Sequence, residues 1–407
     1  MADTGKIDQD AVLRARVLLL GSGRLSTWEY VGAYRVLARV SPRAYLPKLV
    51  GALTRRGYEL RDQEPRVRLF AEAVDVARRI EDDRRPELLG RALESYERAL
   101  FAAGRRAEGR AVCEELARSG AYGRLARVLA EEGRHAEAAA LYGRHLGPEG
   151  AAASGWSLVE WAAELDAAGR HEEALAVFAR LVADKRRKAA EDRTPLACLV
   201  WQLAHQARML SAAGREAEAM AARQEALAVL TRLAGAGEPV SWSNLQAWWV
   251  TLFVLSGRPG EPAATPEAPA PPFGAYAVHG WSPDTRESFF AAIPSLEREA
   301  AALRASGDLA GLVALHRRLA IRQALRWETS GRRAEETFRP VLDEGVTLAR
   351  RLGDSEGVLA RALTDRALFL LAVKRYGEAR RDFAEAVALQ DGPARPVSPI
   401  SHPTSQK

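Results

Sequence analysis

Apolar residues recur at intervals of three and four along almost the whole chain, in stretches of helical length that end at short polar turns. The pattern predicts helix pairs over about 7–20 with 26–40, 42–61 with 64–82, 85–103 with 105–118, 120–132 with 135–146, 154–168 with 171–189, and 194–213 with 216–235. Five turns share one spelling, a glycine, an arginine and a glutamate at fixed offsets: Gly104-Arg105-Arg106-Ala107-Glu108, Gly133-Arg134-His135-Ala136-Glu137, Gly169-Arg170-His171-Glu172-Glu173, Gly214-Arg215-Glu216-Ala217-Glu218 and Gly331-Arg332-Arg333-Ala334-Glu335. Glycine there ends one helix, and glutamate suits the positive end of the next; the arginine reads as solvated.

Counting from the turn glycine brings the copies into register. Four residues before it stand Leu100, Leu129, Leu165 and Leu210, and eleven before it Leu93, Tyr122, Leu158 and Leu203, one stripe of a helix. Seven before it are Glu97, Ala126, Ala162 and Ala207, and five after it Gly109, Ala138, Ala174 and Ala219, positions where two helices approach closely. Nine after come Cys113, Tyr142, Phe178 and Arg223, and twelve after come Leu116, His145, Leu181 and Ala226.

This arrangement resembles the tetratricopeptide repeat, with the best matches at Trp161 to Leu181 and Leu363 to Ala386. In the latter, Lys374-Arg375-Tyr376-Gly377-Glu378-Ala379 opens the second helix. The copies are unevenly spaced around the family's period of about 34 residues, so the repeat is degenerate. The resemblance implies an all-α fold, an α-solenoid of antiparallel helix pairs.

One stretch interrupts the pattern. Gly257-Arg258-Pro259-Gly260-Glu261 begins as another turn, but Pro262, Pro266, Pro269, Pro271 and Pro272 follow and forbid a helix. The expected organisation is therefore a helical array over 1–256, a flexible proline-rich loop or linker over 257–282, a continuing array over 283–391 and a disordered tail over 392–407. The interruption either separates two arrays or is an insertion within one pair. The insertion is favoured, because it pairs 241–256 with 284–306, then 308–329 with 333–352, and 355–373 with 376–390. The helix before it is rich in aromatic residues, Trp242, Trp248, Trp249 and Phe253, and needs a cover. Candidates are the 284–306 helix, the Phe273-Gly274-Ala275-Tyr276 stretch and another subunit.

Composition narrows the function classes. The 407 residues carry 59 basic and 53 acidic side chains, a near balance that argues against nucleic acid despite a pI near 9.5. Lys185-Arg186-Arg187-Lys188 closes a helix, where cations are favoured. Two cysteines, Cys113 and Cys198, are too few for a disulfide scaffold, and no signal pattern or membrane-length apolar run is present, so a reducing cytoplasm is expected. No histidine, cysteine or carboxylate spacing sets a metal site, no nucleophile motif occurs, and no phosphate-binding glycine loop is found. No catalytic residue and no cofactor are predicted.

By resemblance, the first helices of such pairs line a concave groove. That register places Trp156 and Trp201 thirteen residues before their glycines, Arg98, Arg127 and Arg208 six before, and Arg124, His205 and Trp248 nine before. Together they would make a basic, aromatic-lined groove for an acidic or aromatic peptide. The alternative is that the tryptophans seal one repeat against the preceding one. The lysine and asparagine set with which some family members clamp a carboxyl terminus is absent. The expected function is a non-catalytic scaffold or adaptor that binds a protein or peptide, with a peptide-responsive regulatory sensor and an RNA-binding helical repeat as alternatives.

Overall fold

The computed structural model describes residues 8–21, 23–147, 154–240, 245–276, 280–328, 334–353 and 357–392. The expected tail, the Gly331 turn and Trp242 fall outside them, as does the side chain of Trp327. The described chain is all-α and solenoid-like, with successive helices packed on their sequence neighbours. It divides into two compact units, 1–157 with 262–291, and 158–261 with 292–407. The boundaries fall at 157/158, 261/262 and 291/292, the second of them inside the proline-rich segment.

The first unit contains α1 (Gln9–Leu20), α2 (Thr27–Val40), α3 (Pro42–Glu59), α4 (Gln63–Arg78), α5 (Arg85–Ala102), α6 (Arg106–Arg118), α7 (Tyr122–Glu131) and α8 (His135–Leu146). It also holds the start of α9 (Gly155–Ala167), which crosses the boundary, and the helix Pro283–Ala291, here α14. Ser26 and Glu29 form a reciprocal capping box that starts α2.

The second unit holds α10 (His171–Ala190), α11 (Leu196–Ala212), α12 (Glu216–Ala236), α13 (Leu245–Leu255) and a 3₁₀ turn over Arg258–Gly260. It continues with α15 (Ile293–Ser306), α16 (Leu309–Glu328), α17 (Ala334–Leu352), α18 (Val358–Ala372) and α19 (Tyr376–Asp391). The predicted 284–306 helix is thus two helices, α14 and α15, separated at Ala292 just before Pro294.

Each repeat turn is built the same way. Gly104, Gly133, Gly169 and Gly214 have φ of 71°, 73°, 76° and 73°. The following arginine N–H donates back to the carbonyl of Leu100, Leu129, Leu165 or Leu210 at 2.9 Å in every case. This left-handed closure satisfies a carbonyl that the helix end leaves open. The leucine read from sequence as a core position therefore also supplies the acceptor that stops its own helix.

The turn arginine is not merely solvated. Arg105, Arg134, Arg170 and Arg215 each grip Glu108, Glu137, Glu173 or Glu218 through two parallel hydrogen bonds of 2.6 to 2.7 Å. The spacing that defines the motif is thus that of a guanidinium–carboxylate fork across the first turn of the second helix. The small positions behave as expected, with Ala126, Ala138, Ala174 and Ala219 fully buried.

The glycine at 257 does something else. Its φ is −90°, and a Cβ there would stand 2.3 Å from Ile321 Cδ1, so it serves close packing of the chain on α16 rather than a left-handed turn.

Within its own unit the aromatic helix α13 packs on α11, α16 and α18, and its residues from Ala247 to Leu255 are all buried. A helix apolar on every side belongs at the centre of a unit. Trp249 stacks on Phe253 with ring centroids 5.5 Å apart and meets Phe338 at 5.7 Å and Phe369 at 5.3 Å. The expected pairing of 241–256 with 284–306 is therefore replaced by a central helix within the second unit. Around it, α12 packs on α19, joined by Arg223, whose Nε donates to Asp391 at 2.8 Å.

The proline-rich segment is not a free linker where it is described. In the first unit, the Ala270 N–H donates to the carbonyl of Glu131 at 2.9 Å, and Phe273, Trp281 and Phe289 form an edge-to-face cluster. In the second, Arg258 donates to the Ala163 carbonyl at 2.6 Å and to Asp166 at 2.7 Å, while Glu261 receives Arg322 at 2.5 and 2.8 Å.

Candidate ligand-binding cavity

Four of the eight proposed groove residues lie in the first unit and four in the second. In the first, Arg98 is exposed, Arg127 is half-buried, and Trp156 meets the ring of Tyr276 at 5.7 Å. Arg124 is tied inside the protein: Nε donates to Glu97 at 3.1 Å, Nη1 to the Gly280 carbonyl at 3.0 Å and Nη2 to Ser282 Oγ at 2.8 Å.

Beside it, the buried Glu131 accepts from Arg106 at 2.6 Å, from the Ser282 N–H at 2.7 Å and from Ser282 Oγ at 2.5 Å. Arg106 also reaches Asp284 at 2.8 Å. Burial raises the Glu97 pKa against the pull of Arg124. Burial also pushes the thiol of Cys113, near these charges, upward, so it is no nucleophile at neutral pH. This network fastens 280–285 to α5, α6 and α7.

In the second unit, Trp201, His205 and Arg208 line one cavity of about 470 Å³. Trp248 does not line it. It is buried against Lys185, whose Nζ stands 5.5 Å from the ring, and its neighbour Trp249 takes its place on the cavity wall. Register counting found the right helix and the wrong one of two adjacent indoles. Trp201 itself is almost wholly buried, with Nε1 donating to the Leu368 carbonyl at 3.0 Å. It forms wall more than contact surface.

Four arginines line this cavity, Arg208, Arg223, Arg317 and Arg361. Arg317 is spoken for: Nε donates to Asp365 at 2.7 Å and Nη2 to Ser256 Oγ at 2.6 Å. Arg208 lacks a carboxylate partner, its Nη2 lying 3.1 Å from Nδ1 of His205. Arg208 is exposed to the cavity; the surrounding protein, and then the positive charge of Arg317, pull its pKa down to about 10, so it stays charged at neutral pH. His205 is driven well below its ordinary value by burial first and by Arg208 second, so it is neutral. Arg361 is exposed on the cavity wall, and its side chain makes no hydrogen bond or ion pair among the described residues. Aromatic walls come from Trp201, Trp249, Phe253 and Phe383.

A pocket of this size, apolar with a few convergent polar groups, has the form of a small-ligand or side-chain site. Two undercompensated guanidinium groups give it a preference for anions. Sequence reasoning assigned neither Arg361 nor Phe383 to the groove: the Leu363–Ala386 match contains Phe383, but its turn carries Lys374 in place of the glycine from which the groove positions were counted. Among the described residues, no group of three or more His, Cys, Asp or Glu could hold a metal ion. No helix there is long and apolar enough to cross a membrane.

The fold and this cavity define the chain as a helical-repeat protein of α-solenoid type. No family model and no curated protein matches it. A solved structure titled "Circular tandem repeat protein with novel repeat topology and enhanced subunit contact surfaces" aligns with 94% of this chain and 85% of its own at 19% identity. Its TM-score of 0.15 leaves it without weight for fold or function.

Proposed function

We propose that the chain is a non-catalytic binding protein of tetratricopeptide type, whose second unit takes an acidic, aromatic-bearing peptide in the cavity lined by Arg208 and Arg361. The observation that carries this is the pairing of two cations lacking carboxylate partners with indole and phenyl walls. A carboxylate entering there would pair with Arg208, and the rings would shelter an aromatic side chain. The four left-handed glycine turns with their arginine–glutamate forks support the tetratricopeptide assignment. The buried thiols of Cys113 and Cys198, the second pushed up to about 12 by burial, fit a reducing compartment such as the cytoplasm.

The test is fluorescence anisotropy with labelled octapeptides graded in negative charge and aromatic content. Affinity should rise with charge, and Arg208→Glu should lower it by about tenfold or more while the melting temperature holds. Affinity that ignores peptide charge, or an Arg208→Glu protein that binds as well as wild type, overturns the proposal.

A further inference from the structure

A second cavity of about 560 Å³ lies in the same unit, and its chemistry differs from the first. Its walls are mainly aliphatic: Val313, Ala314 and Ile321 of α16, Leu342 of α17, and Val358 and Ala362 of α18. The two cavities share Phe253, Ser256, Arg317, Arg361 and Asp365 as a common border. Most charged groups lining the second cavity already have a partner. Arg317 is gripped by Asp365, Arg318 faces Glu261 at 3.5 Å and shares it with Arg322, and His316, its pKa lowered by burial, sits 3.4 Å from Glu344. The side chain of Arg361 is the exception among the described residues. One unmatched guanidinium at the edge of an aliphatic hollow suits a ligand with one negative charge and a saturated body.

We infer that this second cavity is a small-molecule site for an aliphatic monocarboxylate, its carboxylate paired with Arg361 and its hydrocarbon chain lying along Val313, Ala314, Leu342 and Ala362. A planar guanidinium meets a carboxylate through two parallel hydrogen bonds, a geometry an alcohol cannot reproduce. Apart from the shared Phe253, the walls lack the rings that line the neighbouring cavity, so the body they favour is a chain and not an aromatic group. The site does not depend on the peptide reading, but the shared border means that a ligand in one cavity touches residues of the other. Arg361 held by a carboxylate is lost to a peptide, and the two ligands compete for it.

Isothermal titration calorimetry of the full chain with decanoate, decanol and decylamine tests this. Decanoate should bind about tenfold or more tightly than decanol, and decylamine should not bind. Arg361→Ala should erase the preference for decanoate over decanol. Ala314→Trp places a ring in the space of the chain from an exposed position and should weaken decanoate about tenfold, with Ala362→Trp as a second blocking variant. Arg208→Glu should leave decanoate binding within about twofold. Equal binding of decanoate and decanol, absence of decanoate binding, or unchanged binding in both blocking variants overturns the inference. Peptide binding that survives in the same preparations would leave the function proposed above standing.

Discussion

The indole N–H of Trp201 donates to the backbone carbonyl of Leu368 at 3.0 Å, joining α11 to α18 across the second unit. The ring is almost entirely buried, so its removal should be felt at two levels. Trp201→Phe keeps much of the apolar volume and loses the bond, and because Leu368 sits inside a helix the expected cost is about 1 kcal/mol. Trp201→Ala also opens a cavity and should cost about 3–5 kcal/mol. Urea denaturation followed by circular dichroism measures both; equal costs would mean that the bond contributes nothing of its own.

The turns offer a comparison internal to the chain. Lys374 occupies the place that glycine holds elsewhere, with φ of 64° and the Arg375 N–H bonded to the Leu370 carbonyl at 2.8 Å. A residue with a Cβ is strained there, so Lys374→Gly should stabilise by about 1 kcal/mol and Gly214→Ala should destabilise by a similar amount. Gly133→Ala should be worse than Gly214→Ala, because its Cβ would also stand 2.1 Å from the carbonyl oxygen of Ala264. Thermal melts of the three variants rank them.

Glu131 is the point at which the segment after the prolines is fastened. It receives Arg106, the Ser282 backbone and hydroxyl, and Thr285 Oγ1 at 3.3 Å, with no exposure of its own side chain. Glu131→Ala leaves the Ser282 N–H without its acceptor and Arg106 with Asp284 alone as a close hydrogen-bond partner, and should cost about 3–5 kcal/mol. Limited proteolysis provides a local reading. Cleavage within 262–276 should accelerate in the variant before the rest of the chain is cut, and uniform acceleration would indicate global unfolding instead.

Two buried histidines make stability depend on pH. His205 and His316 have pKa values lowered from 6.5, chiefly by burial. Below that value the unfolded chain binds protons that the folded chain resists, so stability falls as pH drops through the ordinary histidine range. The melting temperature should decrease from about pH 7.5 to about pH 5.5, and His205→Gln with His316→Gln should flatten that slope. A separate loss belongs at lower pH. Glu108, Glu137, Glu173 and Glu218 are held below 4.5 by their arginines, so their contribution is complete above that value and disappears as acid reaches their folded pKa.

The misfits in the repeat were more informative than its consensus. Glu97 stands at a position otherwise taken by alanine, and it is buried against Arg124. Arg223 stands where others carry Cys113, Tyr142 or Phe178, and it is buried between α12 and α19. His145, in the place of Leu116, Leu181 and Ala226, is exposed and stacks on Tyr122 at 4.2 Å. The two buried residues, Glu97 and Arg223, each mark a long-range partner, because burial of such a group is tolerated only when it is paired. That signal was legible in the alignment of the turns; the identity of the partner was not.

The sequence by itself determined the helices, their turns and the small and large positions that let neighbours pack, because these depend on residues within a few positions of one another. It also placed His205 and Arg208 on one helical face, a spacing set by the pitch of α11. Only the tertiary structure decided that α13 would sit at the centre of the second unit, that the two parts of the proline-rich segment would each be bonded within its own unit, and that Arg361 would join Arg208 on a cavity wall. Such outcomes rest on contacts distant in the chain, 92 positions apart between Arg258 and Asp166 and 167 between Trp201 and Leu368. Local periodicity carries no information about which distant side chain will neutralise a charge, and that neutralisation is what separates Arg317, held by Asp365, from Arg361, whose side chain has no ion pair among the described residues.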